Sequence, residues 1–326
     1  MDARRVTELD GLRGIAAIAV VLYHYFYYYD VLYSHSFTIP EAFRFGMFGV
    51  HLFFMISGFV IFWSISSSNK VSDFIKSRFK RLYPTFWAAA ILTFVVLSMF
   101  PLPNVTLDAV TLLVNLSMLH QYFGFKHIDG VYWTLTLELS FYFWIVCIVI
   151  VNQLKRIDQI LIVWLVVSIS LAYSNFEVDR LVSIFFLLDY ISFFAAGICF
   201  YKLKNKIHNN YTLALMLLTI FAIFQGYSLK QALGLTFFYV VFFLIIKGKA
   251  ILLNHKVLVY FGSISYALYL IHQNIGYVII SKFYEYKYDP FWGIAVAIII
   301  SIVLAHALCR WVEKPSALYL KKLFAK

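Results

Sequence analysis

Residues 9–25 read Leu-Asp-Gly-Leu-Arg-Gly-Ile-Ala-Ala-Ile-Ala-Val-Val-Leu-Tyr-His-Tyr, an apolar run of membrane length with an arginine at its mouth and a histidine inside it. A spanning helix needs roughly 20 apolar residues, and only helices or closed barrels satisfy every backbone group in hydrocarbon. Ionisable groups are costly there, so Arg13 and His24 are candidate functional residues by position alone. Eleven steps of about 100° carry the chain about 20° past three turns, which puts both side chains on one helix face. At about 1.5 Å per residue they lie roughly 16 Å apart along it, about the reach of an extended pantetheine arm. That spacing allows a phosphate-rich head at Arg13 and a thioester at His24. The plain alternative is an arginine that anchors the helix end and a histidine buried for packing.

The rest of the chain continues the pattern. Its 326 residues are 63% hydrophobic, 20% aromatic and 13% charged, with a mean hydropathy of +0.82. Barrel-type alternation is absent, so the expected fold is an all-α integral membrane protein of about ten helices in a single bundle. The spans fall at about 14–33, 46–66, 84–101, 133–152, 159–174, 183–201, 211–227, 231–247, 258–280 and 291–309. Pro101 and Pro103 end the third, and 102–132 reads as an outer-face or re-entrant segment. The run at 9–25 lacks a small-residue cleavage site, so it reads as a span rather than a removable signal. One membrane-embedded domain over 1–326, with nothing fused, is the economical expectation. Cys147, Cys199 and Cys309 sit in apolar runs without paired spacing and read as packing residues.

The net charge of +11 would point to nucleic acid in a soluble protein. Its distribution argues instead for topology and contact with anionic lipid. With both termini cytoplasmic, only Arg44, Lys126, Arg180, Lys230, Lys282 and Lys287 of the 27 basic residues lie outside. That bias sets the orientation as a multi-pass protein of the cell membrane. Arg4, Arg5 and Lys326 belong to the inner majority.

Five further motifs follow. The second span opens Gly49-Val50-His51-Leu52-Phe53-Phe54-Met55-Ile56-Ser57-Gly58-Phe59, where the two glycines suit close helix packing. The loop after it carries Arg78 and Arg81 ahead of Pro84. Their spacing puts two guanidinium forks on one face, fit for bidentate phosphate contacts or for snorkelling to lipid phosphate. The fourth span holds Tyr132-Trp133-Thr-Leu-Thr-Leu-Glu138-Leu-Ser-Phe141-Tyr142, with Glu138 roughly 8 Å below the outer helix end. The ninth holds Ser265-Tyr266-Ala-Leu-Tyr269-Leu-Ile-His272, whose Ser265, Tyr269 and His272 share one face. The last ends Glu313-Lys-Pro315, and Glu313 suits pairing with a cytoplasmic arginine.

This series, in this order, resembles the signature of the membrane-bound acyltransferase family 3, O-acetyltransferase type. The family's first helix carries the same Leu-Asp-Gly-Leu-Arg-Gly opening and the same arginine-to-histidine spacing. One departure stands out: the family's Gly-Val-Asp-Leu-Phe-Phe element has His51 in place of the acid. The resemblance implies transfer of an acyl group, most often acetyl, from acyl-CoA to a hydroxyl of an extracytoplasmic or lipid-linked carbohydrate such as a surface polysaccharide. It implies His24 and Glu138 as catalytic residues and Arg13, Arg78 and Arg81 as donor-binding residues. His51, Tyr269 and His272 stand as substrate-side candidates, His272 equally as a structural polar group.

Chemistry fits that assignment. Imidazole titrates near working pH and can take the proton of an attacking hydroxyl. A covalent serine route lacks a Gly-x-Ser-x-Gly element, so direct transfer is the simpler route. No His, Asp or Glu pair has metal-ligand spacing within one helix, so no metal is expected. The competing class is a transporter or flippase using Arg13, His24, Glu138 and His272 as a substrate or proton pathway. The arginine pair and the pantetheine-length spacing favour the enzyme.

Overall fold

The computed structural model describes residues 6–68, 70–103, 105–174 and 176–324. Arg4, Arg5 and Lys326 lie outside them. Among the described residues the chain is helix and turn, without strand. In order the α-helices are α1 (Thr7–Leu22), α2 (Tyr29–Tyr33), α3 (Gly49–Ser66), α4 (Val71–Met99), α5 (Ala109–Asn115), α6 (Trp133–Ile150) and α7 (Ile157–Tyr173). They continue as α8 (Arg180–Phe185), α9 (Ile191–Lys204), α10 (Asn210–Gly226), α11 (Leu229–Ile246), α12 (Lys256–Glu285), α13 (Pro290–Leu308) and α14 (Lys314–Leu323). Two π-helical turns, Tyr23–Tyr28 and Cys309–Glu313, carry α1 into α2 and α13 into α14.

Seven helical stretches among the described residues are long and apolar enough to cross a membrane: Thr7–Tyr33, Glu41–Ser66, Val71–Met99, Gly130–Ile150, Leu154–Tyr173, Leu229–Ile246 and Pro290–Leu323. The other three expected spans depart from that criterion for different reasons. The one at 211–227 is α10, apolar but only 17 residues long. The one at 258–280 lies in the 30-residue α12, whose Ser263, Ser265, His272, Gln273 and Asn274 lower its hydropathy. The one at 183–201 is not a single helix. It breaks between α8 and α9, where Leu187 takes a φ of 54°.

That break releases carbonyls that must find donors in an apolar setting. The indole N–H groups of Trp144 and Trp164 donate to the carbonyls of Phe185 and Phe186 at 2.9 and 2.8 Å. The Ser168 hydroxyl donates to the carbonyl of Leu188. A second correction concerns the arginine motif. It lies in a helix rather than a loop, because α4 starts at Val71 and runs unbroken through Arg78, Arg81 and Pro84.

The chain forms two compact units. One holds Val50–Phe74 and Thr136–His255 with the residues up to Leu9; the other holds Asp10–Gly49, Ile75–Leu135 and the chain from Lys256 onward. Each is built on a glycine crossing. In the first, a Cβ on Gly58 would enter the backbone of Phe194, and one on Gly197 would enter the Met55 carbonyl, so α3 and α9 touch along their backbones. In the second, Gly14 faces the Leu258 carbonyl and Gly262 faces that of Asp10, which joins α1 to α12 in the same way. Small residues at such crossings are how helices approach closely where lipid gives no hydrophobic drive for association. The crossing of α1 and α12 positions the site.

Candidate functional site

Above that crossing α1 widens. The helix is α-type to Leu22, and from Tyr23 the backbone turns π, the N–H of Tyr29 closing on the carbonyl of His24 five residues back. The count of 100° per residue from Arg13 therefore holds only to Leu22. Such wide turns are often found at functional sites. This one turns His24 toward α12, where its Nδ1 lies 3.0 Å from Nε2 of His272 and the rings meet edge to face at 4.8 Å. Both side chains are buried.

The hydrogen bonds fix the protons. Nδ1 of His272 lies 2.9 Å from the Tyr269 carbonyl and 3.1 Å from that of Leu268. A carbonyl only accepts, so that nitrogen carries the hydrogen and Nε2 of neutral His272 is an acceptor. Nδ1 of His24 likewise faces the Val20 carbonyl, at 2.9 Å, and must donate. It shares its hydrogen between Val20 and His272. His24 is left with a bare Nε2, the nitrogen a general base needs.

Three side chains hold His272 at this place. The Tyr25 hydroxyl donates to the backbone carbonyl of His272 at 2.6 Å and meets Ser301 Oγ of α13 at 2.6 Å. Gly276 makes room for the Tyr25 ring, which a Cβ would strike. Asp129 accepts the backbone N–H of Asn274 at 3.1 Å, and the Asn274 amide donates to the Ile128 carbonyl at 2.8 Å. Tyr269, further down α12, pairs with Thr134 Oγ1 at 2.9 Å and donates to the Val131 carbonyl at 3.2 Å.

Asp129 is fully buried just ahead of the apolar stretch Gly130–Ile150. Burial pushes its carboxyl up to about 7, against the pull of the N–H groups of Asn274 and Val131. A carboxyl raised on folding adds stability below its unfolded pKa and loses it as the pH climbs through the folded one, here between about 4 and 7. Asp129→Asn should remove that slope. Its melting temperature relative to wild type should rise between about pH 5 and pH 8, whereas a difference independent of pH contradicts the assignment.

At the other end of α12 the arginines are already engaged. Arg81 is paired with the buried Glu313, which sits in the second π-helical turn, and its guanidinium lies 5.8 Å over the ring of Tyr266. Arg78 reaches Ser77 Oγ at 3.3 Å. Arg13 faces Asp10 at 3.8 Å, one turn earlier on α1.

In the other unit, Glu138 of α6 accepts through Oε1 from the Ser57 hydroxyl at 2.9 Å and from the Tyr142 hydroxyl. His51 is buried, its Nε2 2.9 Å from the Tyr227 hydroxyl and its ring edge-on to Phe193.

The acyltransferase-domain family matches residues 6–310, nearly the whole chain. The chain belongs to this acyltransferase family. The ORF330 protein of Acidianus two-tailed virus is 28% identical over 283 residues, covering 81% of this chain and 82% of its own. The acyltransferase MdmB of Streptomyces mycarofaciens is 32% identical over 97 residues, 28% of this chain and 24% of that one. The peptidoglycan O-acetyltransferase OatA of Listeria monocytogenes is 30% identical over 106 residues, 31% of this chain and 15% of that one. No solved structure matches. Membership makes the chain an enzyme, which removes the ground for the transporter reading.

In this acyltransferase the residues read from sequence fall into separate groups. His24 and His272 form one pair, Arg81 is tied to Glu313, and Tyr269 braces α12 against the start of α6. Glu138 and His51 each have partners within their own unit. Sequence reasoning missed Tyr25, Asp129 and Asn274. Tyr25 and Asn274 adjoin the two histidine motifs, and Asp129 opens the Asp-Gly turn before α6, so proximity to a motif was the available signal.

Proposed function

We propose that this acyltransferase moves an acyl group, in the first instance acetyl, from acyl-CoA at the cytoplasmic face to a hydroxyl of an extracytoplasmic or lipid-linked carbohydrate. The observation that carries the proposal is the His24–His272 pair, with the base nitrogen of His24 left bare inside a chain of an acyltransferase family. The acceptor O–H gives its proton to Nε2 of His24 as its oxygen attacks the thioester carbonyl. The carbonyl re-forms as the C–S bond breaks, and the CoA thiolate leaves with the proton returned from His24. His272 accepts from Nδ1–H of His24 throughout, so the imidazolium is met by a lone pair.

Arg78, Arg81 and Arg13 are assigned to the CoA phosphates, in keeping with the bidentate fit of guanidinium to phosphate. Glu138 is the second assigned catalytic residue, its carboxylate oriented by Ser57 and Tyr142 to accept from a hydroxyl. His51 and Tyr269 stand on the substrate side. The single family match across both units supports one acyltransferase domain, and the charge bias supports cytoplasmic termini in the cell membrane. The named peptidoglycan O-acetyltransferase supports a glycan acceptor. Deletion of the gene should remove ester groups from envelope carbohydrate, seen by proton NMR and mass spectrometry before and after mild alkali. An unchanged ester profile contradicts the proposal.

A further inference from the structure

The π-helical turn that carries His24 also carries tyrosines to which the proposed reaction assigns no part. Tyr23 stacks on Tyr27 and on Tyr28, with ring centroids 5.8 and 5.7 Å apart and planes within 21°. Tyr23 and Tyr28 meet the His24 ring edge-on at 5.0 and 5.7 Å. On α12, Tyr277 follows His272 by five residues, more than one turn further from Tyr266, over whose ring Arg81 lies. Its ring contacts Tyr29 and Tyr33 at 5.5 and 5.7 Å.

Tyr277 is fully buried, yet its hydroxyl has no hydrogen-bond partner among the described residues. Its neighbours differ: the Tyr25 hydroxyl is bonded to the His272 carbonyl and Ser301, and that of Tyr29 lies 3.0 Å from Ser281. The buried Asp129 is the foremost charged neighbour of the Tyr277 hydroxyl, ahead of the phenols of Tyr28, Tyr25 and Tyr23. A buried hydroxyl left unmade is costly, and a ligand that bonds it recovers that cost. The orphaned hydroxyl therefore belongs to a ring packed on Tyr29, the residue at which the π-helical turn carrying His24 ends.

We propose that Tyr23, Tyr28 and Tyr277 form the acceptor subsite, and that its ligand is a neutral pyranose. Tyr277 would bond a hydroxyl adjacent to the one acylated, since a phenol both donates and accepts as vicinal sugar hydroxyls do. The flat rings of Tyr23 and Tyr28 suit the C–H face of a sugar, while the charged donor is served by arginines elsewhere on the chain. The subsite rests on the glycan reading of the acceptor given above.

The test uses strains whose chromosomal copy is replaced by variants, with purified full-length protein for donor binding. Tyr277→Phe keeps the ring and removes only the hydroxyl. It should lower envelope carbohydrate esters by about tenfold at wild-type protein levels, with acetyl-CoA affinity, measured by calorimetry, within about twofold. Tyr28→Leu should do the same, and Tyr28→Phe should retain most of the esters. Unchanged esters in Tyr277→Phe and Tyr28→Leu overturn the subsite. Equal losses of ester and of acetyl-CoA affinity also overturn it, since the tyrosines would then serve the donor or the fold. A wild-type strain without carbohydrate esters, relative to the deletion, overturns the glycan reading itself.

Discussion

His24→Gln is expected to lower acyl transfer by about 10²–10⁴-fold, the usual contribution of a general base, with acyl-CoA affinity and membrane content unchanged. Glutamine keeps approximate size and can still donate to the Val20 carbonyl, but its amide nitrogen cannot take a proton. In the proposed reaction that proton goes to Nε2, because Nδ1 is committed to Val20 and to His272 3.0 Å away. The phosphates of the donor are assigned to arginines, so binding should survive. His24→Ala should show the same loss of turnover. Near-normal turnover in His24→Gln would move the base to Glu138. Loss of both variants from the membrane would mark His24 as a packing residue.

The two arginines proposed to hold the donor should separate from each other. Arg78→Ala is expected to weaken acyl-CoA affinity by about 10–100-fold, the scale of one lost charge-assisted contact. Arg81→Ala should weaken affinity and also lower the melting temperature, because it strands Glu313, whose side chain is 9% exposed. Removing one partner of a fully buried pair costs about 3–5 kcal/mol. Arg81 is 35% exposed, so the loss should fall below that range. Arg81→Ala combined with Glu313→Gln should recover the melting temperature without recovering affinity. Unchanged affinity in both single variants would assign the pair to anchoring at lipid headgroups instead.

Composition carried the fold class because helices of this length and polarity have one solution in hydrocarbon. The positions of Arg13, His24, Glu138 and His272 were also legible, since an ionisable residue in an apolar run is conspicuous against its background. The pairing of His24 with His272 was not. It depends on a π-helical turn at Tyr23–Tyr28, and on contact between helices 248 residues apart in sequence, neither of which leaves a periodic trace. The break at Leu187 was hidden in the same way, as no Gly or Pro marks it and its carbonyls are served by indoles far along the chain. Gly58 was legible as a packing residue, whereas its reciprocal partner Gly197 carried no motif.

The central claim is His24-dependent acyl transfer from acyl-CoA to a carbohydrate hydroxyl. Its most direct measurement supplies acetyl-CoA labelled with carbon-14 to membranes containing the wild-type or the His24→Gln protein, and follows radioactivity in the carbohydrate fraction before and after mild alkali. The account predicts alkali-labile label in the wild-type carbohydrate and at least about a hundredfold less with His24→Gln. Equal labelling by the two proteins, or wild-type label that stays out of carbohydrate, would contradict it.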